Sequence, residues 1–182
     1  MSFLSVLIIG EPLSLYLYIL IGNILSPFFL ILWIVGFTEM THQDKRGIII
    51  LIYSIILTIT EVYLIYYLIT DYTQLGIFTG TFDIKYSYIM VAYLLFIVLS
   101  VFITGTIFAW ESLRMDDPVI KFRAKMLLLA FLTYPICGLL DAGIDLTEVS
   151  LIIVRSILIS GAILFYLGFF KPKFIKKRLK LE

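Results

Sequence analysis

Five stretches of this 182-residue chain are apolar over the length that a helix needs to cross a bilayer: 13–39, 48–70, 86–110, 126–145 and 147–170. A hydrocarbon core ~30 Å thick takes roughly 20 helical residues. Inside hydrocarbon, every backbone N–H and C=O must find its partner within the protein, and the short alternating strands of a barrel are missing. The runs therefore predict an all-α fold, an integral membrane helical bundle with five transmembrane helices. Composition agrees: 62% of residues are hydrophobic and the mean hydropathy is +1.08, against roughly 45–50% apolar content in soluble domains. The connections THQDKRG, DYTQLGIFTGTFDIK and ESLRMDDPVIKFRAK, and a tight turn around 144–148, leave no room for a soluble domain, so residues 1–182 read as one transmembrane domain.

The basic residues set the expected orientation. The first connection carries Lys45 and Arg46; the third carries Arg114, Lys121, Arg123 and Lys125; the tail 171–182 carries six more. Twelve of the fourteen basic residues thus fall on one side of a five-span bundle, leaving Lys85 on the other and Arg155 inside a span. Basic loops stay in the cytoplasm, which predicts an outside N-terminus, a cytoplasmic C-terminus and a multi-pass protein of the cell membrane. The basic collar and tail are expected to touch anionic lipid at the cytoplasmic face. Asp116 or Asp117 as a cap and Pro118 at a first helical position predict that the fourth helix begins in the cytoplasm, before Met126. Residues 1–10 lack the basic start and small-residue cleavage site of a secretory signal and read either as an interfacial lead-in or as the beginning of one slightly long first span.

Charged and polar residues inside the spans are where function is sought. Counted at ~1.5 Å per residue from the outer ends, Arg155 lies ~12 Å deep, Glu61 ~14 Å and Asn23 ~15 Å. Three helices thus bring a polar group to one layer. Ser54, Thr58 and Glu61 form one helical stripe, as do Tyr134, Gly138, Asp141 and Asp145, and both stripes are expected to face protein. Ser156 with Ser160, and Gly22 with Ser26, have the small-xxx-small spacing of close helix contacts. A lone charge at this depth is costly, so Glu61 and Arg155 are expected to pair, with Asp141 as the competing partner. Such a pair serves either to lock helix register or to form part of a ligand or proton site.

Other functions find little support. A net charge of +1 and the lack of a concentrated basic face argue against nucleic-acid binding. A single cysteine, Cys137, excludes an internal disulfide framework. No catalytic or phosphate-binding motif is found, so no catalytic residue and no cofactor are assigned. His42 beside Glu39 and Asp44 in a short turn reads as solvated polar surface rather than a metal site. Five spans do not divide into an inverted repeat, which counts against a self-contained carrier, although a homodimer or larger membrane complex supplies further helices.

The segment DDPVIKFRAKMLLLAFLTYPICGLLDAGIDLTEVSLIIVRSILISGAILFYLGFFKP combines an acidic-Pro turn, spaced basic residues, a helix ending in LLDA, an arginine in the last helix and FYLGF followed by Pro. It resembles uncharacterised archaeal multi-span membrane proteins and, more distantly, is similar to the seven-helix membrane region of sensor histidine kinases. It departs from the kinase type in having five apparent spans and no transmitter domain after Lys180. The resemblance implies a sensory role, with the signal passed to a separate protein. The expected function is a non-enzymatic sensor-like or accessory subunit; the alternative is a small transporter or proton-coupled channel using Glu61, Arg155 and Asp141.

Overall fold

A computed structural model describes residues 14–78, 84–143 and 148–170, with side chains for all of these except 138–143 and 148–151. The lead-in 1–10, Asp145, the tail 171–182, the Asp141 side chain and the surroundings of Gly138 lie outside the described residues.

The first apolar run does not form one continuous helix. It divides into α1, Leu15–Asn23, and α2, Ser26–Thr41. The cause is Pro27, which lacks the N–H that an uninterrupted helix would donate to the Asn23 carbonyl. Ser14 caps α1 by accepting from the Leu17 N–H. A short turn, Gln43–Lys45, leads into α3, Arg46–Thr70, which packs against α2. The contact follows helical periodicity: Leu30, Ile34 and Phe37 of α2 and Leu57, Leu64 and Leu68 of α3 are buried at three-, four- or seven-residue spacings.

The next connection contains structure that hydropathy does not announce. Asp71 accepts from the Thr73 N–H and from the Gln74 side chain, turning the chain out of α3. An antiparallel ribbon follows: β1, Gly76–Phe78, pairs with β2, Ile84–Tyr86, with Ile77 opposite Lys85. This is the one departure from an all-helical fold among the described residues. Three-residue strands are too short to produce a recognisable alternation. The ribbon delivers the chain to α4, Tyr88–Leu113, where Ser87 accepts from the Met90 N–H and its own N–H binds the Leu75 carbonyl.

α5 runs Pro118–Gly143 and α6 runs Glu148–Phe169. Asp117 caps α5 through Oδ1, accepting from the Val119 N–H at 2.7 Å, and Pro118 takes the first helical position. The helix thus starts eight residues before the apolar run at 126–145, as the capping residues predict.

The chain divides into two compact units, Met1–Ile97 and Val98–Glu182, with the boundary inside α4. In the second, α5 and α6 form an extensively packed hairpin. A Cβ on Gly105 would overlap the Phe131 ring, and one on Gly168 would overlap the Leu127 side chain. Phe131 also meets Phe165 edge to face, centroids 4.9 Å apart. These glycines make the close approaches expected of the small-xxx-small pairs. Gly22, by contrast, has no neighbour within 4 Å of a built Cβ, and Ser156 and Ser160 are exposed, donating to the carbonyls of Ile152 and Ser156 in their own helix. Spacing alone did not identify them correctly, because a serine hydroxyl satisfied within its helix requires no neighbouring helix.

Among the described residues, four segments are long and apolar enough to cross a membrane: Leu15–Thr41, Gln43–Thr70, Tyr88–Leu113 and Ile152–Phe169. α5, with Lys121, Arg123 and Lys125 in its first turns, is not among them. Large apolar side chains cover the outside: Phe29, Leu32, Ile59 and Ile152 are each about two-thirds exposed, a distribution suited to hydrocarbon rather than water.

Candidate functional site

The first unit holds polar atoms that its own fold does not satisfy. Asn23, 3% exposed, stands at the α1–α2 break, where Pro27 withholds a backbone donor, and its Nδ2 is buried without a hydrogen-bond partner among the described residues. Glu61 on α3 is half-buried, and its Oε2 is in the same condition. Tyr93 on α4 is 5% exposed, its Oη likewise buried and unpartnered, and it lies close enough to Glu61 for the two to interact electrostatically. Hydropathy reading passed over Tyr93, since an aromatic residue inside an apolar run looks like core. The available signal was that a tyrosine hydroxyl inside a span needs a partner.

Ser54, Thr58 and Glu61 do share one face of α3, as their spacing predicts, and together they line a cleft of roughly 330 Å³. Its other walls are Leu57 and Val62 of α3 and Pro27, Phe28 and Ile31 of α2. The expectation that this stripe faces protein needs correction: Thr58 is exposed and Ser54 only half-buried, because the cleft is partly open. Thr60 and Thr70 donate to carbonyls one turn back, at 2.8 Å each, whereas Ser54 and Thr58 donate to no group among the described residues. The hydroxyls on the cleft are therefore available to a ligand, and the Glu61 carboxyl group lines the same cleft.

In the second unit the sequence-selected residues have different surroundings. Arg155 is half-buried on α6. Tyr134 on α5 is half-exposed and packs against α6, its ring 6.0 Å from that of Phe165 and its Cδ2 3.7 Å from where a Gly161 Cβ would stand. It is a packing residue. Arg123 has an unexpected role: its Nε donates to the Gly168 carbonyl at 2.7 Å and its Nη2 to the Phe169 carbonyl at 2.6 Å. A cation thus binds the carbonyls at the C-terminus of α6, where the helix dipole is negative.

The turn around His42 is internally satisfied. His42 Nδ1 lies 2.8 Å from the Thr41 hydroxyl, and Glu39 lies 3.7 Å from Arg46. No group of three His, Cys, Asp or Glu suited to a metal ion is found among the described residues. Asp71, outside the spans, has its carboxyl held below the usual range by hydrogen bonds from the Thr73 hydroxyl, the Gln74 amide and the Thr73 N–H.

No protein-family model, no curated protein and no solved structure matches the chain.

Proposed function

We propose that the chain is a non-enzymatic multi-pass protein of the cell membrane, a sensor-like or accessory subunit built around an intramembrane polar layer centred on Glu61. One observation carries this reading: Glu61 Oε2, Asn23 Nδ2 and Tyr93 Oη are all buried in the first unit without partners among the described residues. Each unmade bond costs about 1–3 kcal/mol, so a layer retaining three of them is suited to receiving a partner from elsewhere. The counter-charge proposed for Glu61 is Arg155, with Asp141 competing for that arginine, and the pair is a contact still to be made, since Glu61 Oε2 has no partner among the described residues. The chain spans five times, with α5 as the fourth and least apolar span, its N-terminus outside and its C-terminus in the cytoplasm. The basic residues of the cytoplasmic face meet anionic lipid, Arg123 excepted, and further helices come from a second copy or a larger membrane complex.

A second reading, a small transporter or proton-coupled channel using Glu61, Arg155 and Asp141, is favoured by the Pro27 break beside the cleft, since interrupted helices line the sites of many carriers. The two are separated by exchanging charges, Glu61→Arg with Arg155→Glu, and measuring yield and monodispersity in mild detergent. Failure of both single variants and recovery in the double supports the paired layer. Single variants that fold but lose pH-dependent flux in liposomes support the carrier instead.

A further inference from the structure

The cleft beside Glu61 has a chemical character that narrows what it can hold. Its walls are apolar, from Pro27, Phe28, Ile31, Leu57 and Val62, and its polar groups are one carboxylate and two unspent hydroxyls, Ser54 and Thr58. A hard divalent cation needs six or more oxygens, several of them charged, and a single carboxylate does not meet that need. A proton site requires no volume, whereas this cleft of roughly 330 Å³ is at the lower end of the range for small-molecule pockets. The group that fits one carboxylate and two hydroxyls is a compact N–H donor carrying one positive charge, attached to an apolar body.

Depth then separates the possible sources. Glu61 stands 15 residues after Arg46 and 9 before Thr70, or ~22 Å and ~14 Å from the two ends of α3. A lipid ammonium head group resides at the interface, well short of that level. Entry from the bilayer is nonetheless open, since Phe28 and Val62 at the mouth are 57% and 63% exposed. We propose that this cleft binds small apolar primary amines, the ammonium donating to the Glu61 carboxylate and to the Ser54 and Thr58 hydroxyls, and the hydrocarbon lying between α2 and α3. This rests on the reading of Glu61 as the centre of the polar layer.

The test uses the full chain in phosphatidylcholine nanodiscs with 2-phenylethylamine as probe and uncharged 2-phenylethanol as control, read by titration calorimetry. Saturable binding of the amine and not the alcohol is expected, weakened by roughly tenfold or more in Glu61→Gln, since a bond to a charged partner is lost. Val62→Trp, which fills the mouth from an exposed position without touching the carboxylate, abolishes it. Equal binding in wild type and Glu61→Gln, or equal binding of the alcohol, overturns the proposal. Nanodiscs containing phosphatidylethanolamine leave the affinity unchanged if the site takes a free amine; competition by that lipid assigns the cleft to its head group and overturns the proposal. The charge-exchange experiment on Glu61 and Arg155 reports separately on the layer.

Discussion

The two units are built from similar helices but settle their interiors differently. In Val98–Glu182 the helices approach until a glycine is required, at Gly105 against Phe131 and at Gly168 against Leu127, and the end of α6 is bound by Arg123. In Met1–Ile97 the helices leave a cleft lined by unspent hydroxyls, and three buried polar atoms have no partner among the described residues, against one, Thr106 Oγ1, in the second unit. The difference separates scaffold from site. Close packing and satisfied carbonyls give rigidity, whereas unsatisfied groups in an apolar setting cost stability and are tolerated where something else is to bind.

The comparison is broken most severely at Gly105. Gly105→Ala drives a methyl into the Phe131 ring and is expected to cost up to about 3 kcal/mol. Gly22→Ala, with open space around it, is expected to gain about 0.5–1 kcal/mol through helix propensity. Opposite shifts in thermal unfolding in detergent check both; equal shifts would show that the two units pack alike. Next is Arg123→Met, which removes both bonds to the α6 terminus and is expected to cost about 2 kcal/mol, with Arg123→Lys recovering part of it. Hydrogen exchange at the last turn of α6 is the local readout.

The site makes a prediction of the opposite sign. Asn23→Leu removes a buried amide without a partner and is expected to raise stability by about 1 kcal/mol, measured by the same melting assay. A loss of stability would mean that the amide is satisfied after all. The smallest effect is at the ribbon. Because the Asp71 carboxyl is held below its usual range, its turn is favoured at neutral pH and loses that support as pH falls through the lowered value. Thr73 amide exchange should accelerate on acidification in the wild type and be pH-insensitive beyond intrinsic chemistry in Asp71→Asn.

Much of this was legible in the residues. The α3 stripe of Ser54, Thr58 and Glu61 follows from helical periodicity, and the early start of α5 follows from Asp117 and Pro118, because capping is a local interaction. Tyr93 was not legible, since its relation to Glu61 depends on how α4 sits beside α3. The ribbon was hidden by the shortness of its strands, and Arg123 by a 45-residue separation from the carbonyl it binds.

The sequence by itself determined the helical character of the chain, the approximate limits of its apolar segments, and which side chains share a face. These depend on hydropathy, on caps and on the 3.6-residue repeat, all properties of neighbours in the chain. Only the tertiary structure decided that Gly105 and Gly168 rather than Gly22 and Ser156 carry close contacts, that Arg123 binds the end of α6, and that a cleft opens beside Glu61. Those outcomes depend on the volume left between helices distant in sequence, and spacing along one helix does not encode that volume.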